Sequence, residues 1–186
     1  MSHVSVLVLT REGQGIEELL LPYMENCCGE PPREFMEFFE DEDCEVDDET
    51  GRRGYWQNPD AKWDWYEVGG RFHGKLRAAR GARAMPERLV GSYPDGRYDS
   101  ARVGDCDFSP DEEARVAALG FWKHAVEGAG DGTPVSLRPP EFYLRRYGDA
   151  ATFAEAESTF GTWAVVTPDG EWHEQGAMGW WGLSSE

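Results

Sequence analysis

The sequence predicts an α+β domain: a mostly antiparallel sheet with helices packed on one face, interrupted by acidic and irregular insertions. Three observations lead there. The chain opens with a β-branched and aliphatic run, His3–Leu9, and a helical period follows at Ile16, Leu19, Leu20 and Tyr23. Aromatic-rich stretches bounded by Gly and Pro turns, Tyr55–Arg71 and Thr162–Glu174, read as central and C-terminal hairpins. The clearest helix-start signal, at Ser109, falls between them. At 186 residues the chain suits a single domain, with an acidic insertion around 30–50 and a flexible loop around 128–140.

Each element has a local reason. Val4, Val6, Leu7, Val8 and Leu9 favour a buried strand that Arg11-Glu12-Gly13 ends. Ile16–Tyr23 is a helix that Pro22 ends or bends. Pro31-Pro32 starts the next unit, and Arg33–Glu40 reads as helical, with Phe35, Met36, Phe38 and Phe39 on its apolar faces. Asp41–Glu49 carries too many like charges in a row to pack inside and reads as a solvated loop or frayed helix end. Asn58-Pro59 makes a turn, because the proline ring pushes Asn58 out of the helical region. Strict alternation from Lys62 to Val68 is the period of a strand, and Gly69-Gly70 permits a reversal into Arg71–Leu76 as its hairpin partner.

Ala78–Asp107 lacks a period and reads as irregular. In Ser109-Pro110-Asp111-Glu112, Ser109 suits a cap, Pro110 the first helical position and Glu112 a capping box. That helix runs to about Val126 and is expected to bury Val116, Leu119, Trp122 and Val126. Gly128–Pro140 is a loop, and Pro140–Tyr147 and Ala150–Phe160 are short helices. Thr162–Thr167 and Glu171–Glu174 are strands around the turn Pro168-Asp169-Gly170.

Composition narrows the class. The 40% hydrophobic share and eight Trp exclude wholesale disorder. No apolar run approaches the ~20 residues of a membrane helix, and Met1–Thr10 lacks the basic flank and cleavage site of a signal peptide, so a soluble, cytoplasmic protein with no membrane partner is expected. Cys27, Cys28, Cys44 and Cys106 have neither disulfide-framework nor zinc spacing and read as free thiols. His73, His124 and His173 are scattered without metal-site spacing, so no metal or cofactor is assigned. The net charge of −18 is uneven: Glu30–Thr50 holds 11 acidic residues against Arg33 alone. Arg71–Val90 sets Arg71, Lys75, Arg77, Arg80, Arg83 and Arg88 against Glu87. Such halves either pair within the chain or face partners of opposite charge, and direct binding of duplex nucleic acid is not expected.

Lys62–Arg71 is the leading site candidate. On the alternating reading Lys62, Asp64 and Tyr66 stand in a row, Arg71 lies just beyond the turn, and Trp63 and Trp65 back them from the core face. Lys62 and Arg71 suit a phosphate or carboxylate. Asp64 suits a base or a partner for Lys62, and Tyr66 a proton donor or stacking platform. The plainer alternative is a half-exposed strand face with a Lys–Asp pair of modest value. Glu171, His173 and Glu174 are a second candidate, but alternation puts Glu171 and His173 on one face and Glu174 with Trp172 on the other, as in a surface hairpin. Trp180 and Trp181, flanked by glycines, can stack a nucleobase. The candidate ligand-binding set is therefore Lys62, Asp64, Tyr66, Arg71, Glu174, Trp180 and Trp181, with no catalytic constellation assembled by spacing.

Three stretches carry a family likeness: Ser2–Leu9 with Leu20-Leu21-Pro22-Tyr23-Met24-Glu25-Asn26, then Asn58–Arg71, then Gly170 through Gly182. Lys-Trp-Asp-Trp-Tyr-x-x-Gly-Gly-Arg and Gly-x-Met-Gly-Trp-Trp-Gly are improbable strings, and with them the chain resembles a family of uncharacterised proteins of bacteriophages and prophages. It departs from that family's pattern at Met24 (Asp), Phe72 (Trp), His73 (Ser) and His173 (Tyr), which speaks against essential chemistry at either histidine. The resemblance implies mobile-element origin and an α+β domain, and it brings no activity with it. The expected function is a non-catalytic binding protein for a nucleotide-like anion or a host component, such as one of bacterial defence. The alternatives are an acidic nucleic-acid mimic that occupies a host protein, or a small hydrolase or transferase of nucleotide-like substrates using Asp64, Tyr66 or Glu174.

Overall fold

The computed structural model describes residues 4–26, 29–82, 96–129 and 138–175. The fold is α+β, and the chain divides into two compact units: Met1–Gly70 with Thr162–Glu186, and Arg71–Gly161.

In the first unit β1 (Val6–Val8) lies parallel to β6 (Ala164–Val166), which pairs antiparallel with β7 (Trp172–Glu174), giving the order β1-β6-β7. Val8 sits opposite Val166, and Val166 opposite Trp172. Helix α1 (Ile16–Leu20) supplies Leu19 and Leu20, which bury with Val166 among Val6, Val8, Ile16, Trp63, Tyr66 and Trp172. Pro22 has no amide hydrogen to continue the helix, and Leu21–Tyr23 tightens into a 3-10 turn.

The same unit holds an antiparallel pair, β2 (Glu37–Glu40) and β3 (Gly54–Gln57). The expected helix Arg33–Glu40 does not form: a 3-10 turn covers Arg33–Phe35 and a strand follows. Cross-strand ring pairs account for the change, since Phe38 meets Trp56 edge-on and Phe39 stacks on Tyr55. The acidic run becomes the connection between these strands. Gly54, at φ +154°, is required there, because a Cβ would collide with the Phe39 carbonyl oxygen.

Lys62–Val68 is not a strand either. It is a loop whose one ladder contact among the described residues is an isolated bridge from Trp63 to Met24. The Trp63 indole N–H donates to the Leu20 carbonyl (2.9 Å), whereas Trp65, expected in the core, is 62% exposed. With no partner strand, the alternating side chains have no common plane to point from. Asn58 anchors the loop's start: 1% exposed, it donates to the carbonyls of Pro22 (2.8 Å) and Met24 (3.0 Å) and accepts from the Asp60 amide (3.0 Å).

In the second unit Arg71–Leu76 does not return as a hairpin arm; a 3-10 turn at Gly70–Phe72 precedes β4 (Leu76–Arg77), which pairs with β5 (Arg97–Tyr98). Helix α2 (Glu112–Ala125) starts two residues later than expected. Asp111, not Ser109, is the cap, accepting from the Glu113 and Ala114 amides, while the Ser109 hydroxyl donates to Asp107. Burial opposes charge on Asp111, but hydrogen bonds from Arg97 and the Ala114 amide win and hold its carboxyl below the ordinary range.

Ala118, Trp122 and Phe153 bury with Ala154 where α2 meets α4 (Ala150–Ser158), and Tyr143 and Tyr147 of α3 (Pro140–Tyr147) pack on that cluster. Val116 was expected there and is 61% exposed. Steps of three residues along a helix drift by about 60° each, so Val116 ends up about 120° around the helix from Trp122 and about 160° from Ala118. Among the described residues the strands make three small, antiparallel-rich sheets, where one sheet was expected. Among the described residues no helix is long and apolar enough to cross a membrane.

Candidate functional site

The predicted set divides. Lys62 and Glu174 do meet: Nζ lies 3.4 Å from Oε1, with the side chains 28% and 17% exposed. The other Glu174 oxygen accepts from Trp172 Nε1 (2.8 Å), and the Trp172 ring lies 5.1 Å from that of Tyr23, whose hydroxyl donates to the Gly170 carbonyl (2.6 Å). The Lys62 charge is thus matched within the molecule, and the cluster is a strut between the loop after β3 and strand β7.

Tyr66 is turned into the core, edge-on to Trp63 at 5.2 Å, and burial raises its phenol above the ordinary value of 10.0. That suits a packed ring better than a proton donor. Asp64 is half-buried and makes no side-chain hydrogen bond or ion pair among the described residues. Arg71 belongs to the other unit and is exposed. Trp180 and Trp181 lie outside the described residues, as do Cys27 and Cys28. Glu171 and His173 form an exposed pair, 3.4 Å apart, on the face of β7 away from Trp172 and Glu174.

The β2–β3 hairpin is organised differently. Of the nine carboxylates from Glu37 to Glu49, all but Asp47 are exposed. Asp47 turns inward, accepting from the Thr50 amide (2.8 Å) and the Trp56 indole (3.2 Å). The Thr50 amide, with the indole's help, holds its carboxyl below the ordinary 3.8. One sheet face is covered by arginines: Arg33 lies over the Trp56 ring while paired with Glu49, and Arg52 lies over Phe38, 5.0 Å from its centroid, while paired with Glu40. The other face carries Phe39 and Tyr55, stacked at 6.0 Å and 37% and 45% exposed, with Glu37 and Gln57 beside them on the same face.

Sequence reasoning missed this ring pair, although Phe38-Phe39 and Tyr55-Trp56 flanking an acidic loop were its signal. Among the described residues no three His, Cys, Asp or Glu side chains come close enough to hold a metal ion. A hollow of about 480 Å³ in the second unit is lined by Ala118, Phe121, Tyr143, Tyr147 and Phe153 and includes none of the predicted residues. No family model, curated protein or solved structure matches the chain.

Proposed function

We propose that this chain is a non-catalytic accessory protein of phage or prophage origin, acting in the cytoplasm, that occupies a basic, nucleic-acid-binding surface of a host protein. The observation that carries it is the β2–β3 hairpin, whose connection leaves every carboxylate but Asp47 exposed on a chain of net charge −18. Such a surface attracts a cationic groove at long range and repels nucleic acid itself. The nucleotide-anion reading loses its main support, because the Lys62 charge already faces Glu174. The enzyme reading loses two of its groups, with Tyr66 packed and Glu174 held by Lys62 and Trp172.

The test is titration of the full chain against purified bacterial nucleic-acid-binding proteins, with duplex DNA as competitor. A partner should bind, be displaced by DNA, and weaken more than tenfold between low and moderate salt. A variant combining Asp41→Asn, Glu42→Gln, Asp43→Asn, Glu45→Gln and Asp48→Asn should lose that binding. Equal binding by this variant, or none by the wild type, overturns the reading.

A further inference from the structure

The two faces of the β2–β3 hairpin have the same furniture and differ in one respect. On the first, each ring shares a guanidinium with a carboxylate: Trp56 and Glu49 hold Arg33, and Phe38 and Glu40 hold Arg52. On the second, Phe39 and Tyr55 lie stacked, and Glu37 is two residues from Phe39 on the same face. Among the described residues no cation lies over either ring, and Glu37 has no ion-pair partner. The ring and the carboxylate are in place without the guanidinium.

We infer that the Phe39–Tyr55 face is a docking surface for arginine side chains of an arginine-rich basic segment on the partner. The inference rests on the functional reading above and names its recognition chemistry. Charge complementarity selects the occupant: Glu37 is exposed on the same face as the rings, and the connecting loop of the same hairpin is lined with exposed carboxylates, so a basic segment is drawn in. A second copy of this chain would bring −18 of like charge to the same place. Arginine is preferred over lysine because a guanidinium is planar, weakly hydrated, and can lie on a ring while its edge donates two hydrogen bonds to a carboxylate. A compact, strongly hydrated ammonium cannot do both. Phe39 and Tyr55 contribute little side-chain ordering cost, since the cross-strand stack already fixes both rings.

The experiment titrates the full chain with oligo-arginine and oligo-lysine peptides of equal length, and repeats it with the Phe39→Leu/Tyr55→Val variant. That variant keeps apolar bulk and strand propensity while removing both ring faces. Wild type should bind oligo-arginine about tenfold more tightly than oligo-lysine. The variant should bind both peptides about equally and stay salt-sensitive. The arginine δ-methylene protons of the bound peptide should shift upfield on wild-type protein, the ring-current mark of a stacked guanidinium; this readout needs no variant to fold. Equal affinities for wild type, an undiminished arginine preference in the variant, or absence of the upfield shift overturns the docking inference and leaves the electrostatic reading standing. Failure of wild type to bind either peptide overturns both.

Discussion

The β6–β7 and β2–β3 hairpins use the same parts to opposite ends. Each carries a tryptophan whose indole N–H donates to a nearby carboxylate, Trp172 to Glu174 and Trp56 to Asp47. In β6–β7 that carboxylate is also met by Lys62, and β1 closes the outer side of β6. In β2–β3 the sheet ends at two strands, and the remaining carboxylates face water. A charge in a hairpin becomes internal structure when a further segment packs across it, and surface when none does. Of the improbable string around Lys62, Lys62 itself, Trp63 and Tyr66 are consumed by pairing and packing. The acidic run, already the sharpest charge imbalance in the sequence, keeps all its carboxylates but Asp47 exposed.

The comparison breaks most readily at Asn58, which ties the exit of β3 to the segment after α1. Asn58→Ala removes a buried side chain that bonds the carbonyls of half-buried Pro22 and Met24 and should cost about 3 kcal/mol, read from the urea midpoint at constant slope. A loss below about 1 kcal/mol would mean the two segments hold together without that tie. Next in size is the Lys62–Glu174 pair. Glu174→Gln keeps an acceptor for the Trp172 indole but removes the charge, and should cost about 1 kcal/mol, with Lys62→Met adding little on top in a double-mutant cycle. Glu42→Gln in the acidic loop should stay within about 0.5 kcal/mol, and added salt should stabilise the wild type by screening the loop's own repulsion. Equal costs at Glu174 and Glu42 would erase the distinction between the hairpins.

The smallest effect is one of pH. The Asp47 carboxyl is held below its ordinary value of 3.8, so its contribution to loop order is complete above that value and is lost as pH falls through it toward the folded-state value. The Trp56 indole proton resonance should move in that window, and Asp47→Asn should remove the Asp47-dependent step. A Trp56 signal indifferent to acid would show that the loop is ordered by something else.

Local signals settled much of the fold. Helices α3 and α4, the turn at Pro168-Asp169-Gly170, and the outward Glu171 and His173 against inward Trp172 and Glu174 all follow from short-range periodicity and turn chemistry. The solvated acidic connection follows from like-charge repulsion alone. Errors arose where an alternating or apolar run needed a partner to define it. Lys62–Val68 has the period of a strand but no strand beside it, and Arg33–Glu40 becomes half strand because Gly54–Gln57 does lie beside it.

For the site the division is similar. Residue types and net charge, readable in one dimension, determined that this chain carries a solvated acidic loop, many aromatic rings and an α+β fold. Only the tertiary structure decided that Lys62 meets Glu174, that Trp65 and Val116 face water, and that Phe39 and Tyr55 share an open face. The reason is physical: periodicity fixes the direction of a side chain relative to its own backbone. Whether that direction ends in a core, a counter-charge or solvent depends on which distant segment packs there.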